Sequence, residues 1–93
     1  MIDDAYALEL YMMAVSIIEA KGALINVGST RLKECRNGTL TIHYMPRTGH
    51  LDVWSGRKVF SVRRLKDGLR VTHHTPGYWE TELAEATGKT LPN

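Results

Sequence analysis

Four histidines, one cysteine and a run of cations are the residues whose types could do chemistry in this chain. His43 and His50 flank Pro46 to Gly49 and face each other if that stretch is a hairpin turn. No cysteine or acid completes a tight cluster beside them, and their spacing matches no standard zinc pattern. Two solvent-facing strand histidines are therefore expected. His73 and His74 are adjacent, so in a strand they point to opposite faces and cannot chelate together. Cys35 sits between Glu34 and Arg36 with no partner motif, and a small buried hydrophobe is expected there. There is no phosphate-binding glycine loop, no HExxH and no GxSxG. A chain of 93 residues built as a helix on a sheet leaves little volume for a pocket. The reading is not an enzyme, with no metal and no cofactor.

The cations carry more. Residues 57 to 70 hold six of the twelve Lys/Arg residues (Arg57, Lys58, Arg63, Arg64, Lys66, Arg70) against one acid, Asp67. The chain as a whole is only +2, so a basic block lies between two acidic ends. In a strand over 57–65, Arg57 and Arg63 share one face and Lys58 and Arg64 the other, with Lys66 and Arg70 flanking an Asp-Gly turn. One role for this block is an edge hairpin kept soluble by charge. The functional role is contact with phosphates or with an acidic protein surface, extended by Arg47 at a neighbouring turn. Trp54 is out of phase with Leu51 and Val53. It either packs against the last helix or is exposed as a hot spot or base-stacking platform. Tyr78 and Trp79 either staple that helix to the sheet or form an aromatic contact pair.

Three kinds of element must position these residues. A helix is expected over 3–21, capped by Asp3 or Asp4 and stopped by Gly22. It has two apolar stripes. Ala5, Leu8, Tyr11, Met12, Val15 and Ile18 are expected to lie on the sheet. Tyr6, Leu10, Met13 and Ile17 are left either for C-terminal residues to cover or for a dimer or partner interface. Strands are expected at about 31–36, 39–45, 50–54, 57–65 and 69–74, with 24–27 as a further short piece. They are punctuated by Asn37-Gly38 read as a type I′ turn, by Pro46 to Gly49, by Ser55-Gly56 and by Asp67-Gly68. A short helix over 76–87 follows, capped by Thr75 and ended by Gly88, with 89–93 frayed. The fold class is α+β: one domain, an N-terminal helix on an antiparallel meander of about five strands, and a short C-terminal helix.

The composition, 43% apolar and 24% charged, is that of a soluble globular protein. The longest apolar run, Leu10 to Ile18, is too short to span a bilayer, and the acidic start does not read as a secretory signal. A single cysteine favours the cytosol.

In size and style the chain resembles anti-CRISPR proteins, which are small single-domain products of phages and mobile elements. The stretches Leu51 to Phe60 and Pro76 to Leu83 look like those of small phage-borne proteins. The resemblance implies a non-enzymatic inhibitor in the host cytoplasm that binds a CRISPR effector and blocks DNA recognition or nuclease recruitment. Many such proteins are acidic DNA mimics, whereas this chain is mildly basic, so it would meet an acidic protein surface, or the nucleic acid of the complex, instead. The expected partner is thus a host protein complex, with a homodimer through the second helical stripe as a separate expectation. The alternative is a small nucleic-acid-binding module that uses the basic hairpin.

Overall fold

The computed structural model describes residues 4–91. Helix α1 (Asp4–Lys21) leads into six strands, β1 (Ala23–Val27), β2 (Thr30–Asn37), β3 (Leu40–Met45), β4 (His50–Ser55), β5 (Arg57–Leu65) and β6 (Gly68–His73), and helix α2 (Tyr78–Thr87) closes the chain. The strands form one antiparallel sheet in sequence order. The α+β layout is the expected one, with six strands in place of about five. The added strand is β1. Its sequence, Ala-Leu-Ile-Asn-Val, has little apolar/polar alternation, so pairing with β2 defines it: Leu24 lies opposite Lys33 and Ile25 opposite Leu32. Asp3, one of the two expected caps of α1, lies outside the described residues, as do Pro92 and Asn93 of the tail. Among the described residues no helix is long and apolar enough to cross a membrane.

The β2–β3 turn differs from its reading as type I′. Asn37 is the last residue of β2 and pairs with Leu40, which leaves Gly38-Thr39 as the loop. Gly38 has φ 61° and no non-glycine residue among the described residues has positive φ, which is the type II′ pattern with glycine first. A Cβ at Gly38 would also strike the carboxylate of Glu82. That carboxylate accepts hydrogen bonds from Thr39 N at 3.1 Å and Thr39 Oγ1 at 2.5 Å, so α2 is clamped to the turn. Helix α2 starts at Tyr78, later than expected. Gly77, not Thr75, is its N-cap, and its N–H donates to Glu80 at 3.2 Å.

The core lies between the helices and one face of the sheet. It joins Leu10, Met13, Ala14, Ile17 and Ile18 of α1 to Cys35, Leu40, Ile42, Leu51, Val53, Phe60 and Val62 of the sheet and to Trp79, Leu83 and Ala84 of α2. The second α1 stripe is thus core, covered by the C-terminal helix as one of its two expected readings had it, and of the first stripe only Ile18 is fully buried. Leu10, Met13 and Ile17 are 0%, 1% and 3% exposed, and Tyr6 is half-buried against α2. None of the first three can be a dimer or partner interface in the folded chain. Leu8 and Met12 of the other stripe are each 48% exposed. The physical reason is that a helix apolar on two sides takes its orientation from its neighbours. Here α2 packs against α1 and encloses the Tyr6 side through Glu80.

Candidate functional site: the open face of the sheet

Both helices lie on the same side of the sheet, so its other face carries no helix. A β-bulge decides which cations stand there. Trp54 pairs with Lys58 but Val53 pairs with Phe60, so Val59 is an extra residue. The bulge shifts the phase of the first part of β5. Lys58 joins Arg63 on the open face, while Arg57 falls on the helix side, near Tyr78 and Trp79. The expected pairing of Arg57 with Arg63, and of Lys58 with Arg64, is thereby broken.

The contacts confirm the placement. Arg63 Nη2 meets Asp52 Oδ1 at 2.9 Å and donates to Oδ2 at 3.0 Å, and Lys58 Nζ lies 3.7 Å from Oδ1. Arg63 Nη1 donates to the carbonyls of Val62 and Leu51 at 2.9 and 3.3 Å. Lys58 Nζ also stands 5.5 Å from the centre of the Trp54 ring, within range of a cation–π attraction. His43 meets the same indole edge-on, with centroids 4.9 Å apart, and shares a 2.8 Å hydrogen bond with Glu34. Arg36 completes the chain at 3.6 Å from Glu34. The bond to His43, aided by Arg36, holds the Glu34 carboxyl below its ordinary value. One connected network thus runs across β2, β3, β4 and β5 with a half-buried tryptophan at its centre.

Arg70 stands opposite Arg63 in the β5–β6 register. The face therefore presents four cations (Arg36, Lys58, Arg63, Arg70) and two carboxylates (Glu34, Asp52). Between β3, β4 and β5 it dips into a small cleft of about 190 Å³ lined by Leu32, His43, Met45, His50, Asp52 and Arg63. His43 and His50 do share this face, but no group of three or more His, Cys, Asp or Glu among the described residues could hold a metal.

The other cations of the basic segment lie elsewhere. Arg64 Nε donates to the Thr48 carbonyl at 3.0 Å, which holds it against the β3–β4 turn that carries Arg47. Lys66 lies in the β5–β6 turn, beyond the end of the sheet opposite Arg57. The basic block is therefore split between two faces and two ends, and only Lys58, Arg63 and Arg70 share a face with Trp54. The partners that organise that face, Glu34, His43 and Asp52, escape sequence reasoning because they come from three different strands. Their only signal was position: each stands on the polar phase of its strand.

A second polar cluster is closed to solvent. Glu80, 7% exposed, accepts from the Tyr6 hydroxyl and from Gly77 N, and lies 3.1 Å from His73 Nε2. Burial and the adjacent Glu80 push the Tyr6 phenol up to about 12. The cluster sits beside Phe60 and Trp79 and ties α1, β6 and α2 together. Trp79 is buried and donates to the Thr75 carbonyl at 2.7 Å, so it staples α2 to the sheet; Tyr78 is 68% exposed. His74 reaches Ser61 Oγ at 3.1 Å. Burial pushes the Cys35 thiol up, which disfavours the nucleophilic thiolate.

Fold and site together define a helix-covered meander with one open, charged sheet face. Comparisons with protein families, curated proteins and solved structures find no match to this chain.

Proposed function

We propose that this protein is a non-enzymatic binding protein that acts by occupying the surface of a larger protein assembly, as anti-CRISPR proteins do. The observation that carries this reading is the uncovered face on which Trp54 is held between Lys58 and His43, with Arg63 fixed beside it on Asp52. Tryptophan and arginine are the side chains that most often dominate binding energy at protein interfaces. Ion pairs that hold them in place before contact reduce the side-chain entropy lost on binding. The surplus of positive charge on this face suits an acidic partner surface and would speed encounter with it. Inhibition then follows from steric exclusion and needs no chemistry. The cytoplasm, where a single reduced cysteine is at home, is the compartment that fits.

Nucleic-acid binding is the second reading, favoured by Arg47, Lys66 and Arg70, which form no ion pair among the described residues. Two features weigh against it. Lys58 already stands over the Trp54 ring that a base would stack on, and Asp52 draws on the charge of both Lys58 and Arg63.

The test is retention from bacterial lysate, with and without nuclease, by the wild type and by a Trp54→Ala/Arg70→Glu variant. The proposal expects a discrete protein complex that survives nuclease and is lost with the variant. Retention of heterogeneous nucleic acid, lost on nuclease treatment or in high salt, would replace the first reading with the second.

A further inference from the structure

The sheet has two edges, and they are unlike. Strand β6 carries Arg70 and follows the Lys66-Asp67 turn, so charge guards its outer side. Strand β1 is the other edge, paired among the described residues with β2 alone. Ala23 to Val27 and the turn Gly28-Ser29 hold no charged residue and no proline. Leu24 and Val27 are 55% and 52% exposed, and Ala23 and Asn26 are exposed as well. An edge with none of the usual guards is a template for a further strand.

The β1–β2 hairpin decides which backbone groups of β1 are free. Val27 and Thr30 flank a two-residue loop, so they exchange hydrogen bonds with each other. By alternation Ala23 and Ile25 also turn their N–H and C=O groups towards β2, while Leu24 and Asn26 turn theirs outward. The side chains alternate too. Ala23, Ile25 and Val27 stand on the open face, with Ile25 opposite Leu32, which lines the cleft there.

We infer that β1 pairs antiparallel with β1 of a second copy, closing a two-fold dimer with one continuous sheet. The strand is its own complement about Ile25. In that register Leu24 faces Asn26 of the second copy, and these are the residues whose backbone groups are free. Ile25 meets Ile25 on the axis and Ala23 meets Val27, so an apolar strip crosses the junction. No like charges are opposed within it. Arg31 and Lys33 lie one strand further in, on β2. The two β2 strands of the dimer are three strand spacings, about 14 Å, apart, beyond the screening length of about 8 Å at physiological salt. Pairing of β1 with β6 would instead run head-to-tail, which builds open fibres rather than a closed pair, and it would bury the guarded edge. The dimer uses no part of the Trp54 network, so the inference stands apart from the proposed function.

The test is sedimentation equilibrium of the full chain from micromolar to millimolar concentration. The expected result is a monomer–dimer equilibrium. Asn26→Pro removes an outward N–H and leaves the β1–β2 bonds in place, so it should weaken dimerisation about tenfold or more in a folded chain. Leu24→Lys/Val27→Lys places cations on the exposed edge and should do the same. Leu69→Lys on β6, Met12→Glu on α1 and Trp54→Ala on the open face should leave the equilibrium unchanged. Circular dichroism checks that each variant is folded, and the lysine pair decides the matter if Asn26→Pro unfolds. A wild type that stays monomeric at millimolar concentration would overturn the inference, as would a dimer that the folded β1 variants leave intact. So would a mass that grows without limit as concentration rises, the mark of β1–β6 pairing, or loss of the dimer with Leu69→Lys or Met12→Glu.

Discussion

The two faces of the sheet use the same strands in opposite ways. On the helix side, Ile42, Val53, Phe60 and Val62 are 0% exposed and are held by packing. On the open side, residues of the same strands, His43, Asp52, Trp54 and Arg63, are held by ion pairs and ring contacts while remaining partly in water. The contrast teaches that order and burial are separable. Surface ion pairs contribute little to stability, typically about 0–1 kcal/mol each. On the proposed reading, a network of them that fixes a central tryptophan serves recognition more than folding. Four changes would break or sharpen this comparison.

The largest effect is expected from α1. Met13→Glu with Ile17→Glu places two carboxylates in the core and should unfold the chain, costing more than about 4 kcal/mol. Met12→Glu, one residue away and half-exposed, should leave it folded. Circular dichroism of the two variants checks this. A folded monomer from Met13→Glu/Ile17→Glu would return that stripe to the surface.

Glu80→Ala comes next. It removes the carboxylate to which the Tyr6 hydroxyl and Gly77 N–H donate, and a cost of about 1–3 kcal/mol in urea unfolding is expected. Gly38→Ala is smaller. The positive φ and the lost approach of Glu82 should together cost about 1 kcal/mol or somewhat more, read as a lower urea midpoint.

The smallest effect lies on the open face. The Glu34 carboxyl is held below its ordinary value of 4.5 by His43 and Arg36. Its folded-state affinity for protons is therefore lower than its unfolded one. The stabilisation is present above about pH 4.5 and is lost as the pH falls through the depressed folded value. Glu34→Gln should flatten this part of the acid-stability curve. An unchanged slope would mean that the His43 contact does not persist in solution.

Much of the fold was legible locally. The alternation of Leu40, Ile42 and Tyr44, and of Leu51 and Val53, marks a sheet with one apolar face, and the out-of-phase position of Trp54 sets it on the other. Strand β1 has no alternation of its own, yet a short piece over 24–27 was expected and the structure has it as Ala23–Val27. Two features were not legible because they depend on neighbours distant in sequence. The orientation of α1 depends on α2, as the Tyr6–Glu80 bond across 74 positions shows. The bulge opposite Val53 and Trp54 is a property of a strand pair, and it regrouped Lys58 with Arg63. The candidate site rests on that regrouping, so composition marked the cations without showing which of them act together.

The central claim is that the open face is spared by folding and used for binding. The most direct measurement is therefore made on one preparation of Trp54→Ala, recording its thermal midpoint and its retention of the nuclease-resistant partner complex. The account predicts a midpoint within a few degrees of the wild type, as about 0.5–1 kcal/mol would give, together with loss of the partner. A variant that still holds the partner, or one that unfolds because Trp54 was part of the stabilising core, would contradict it.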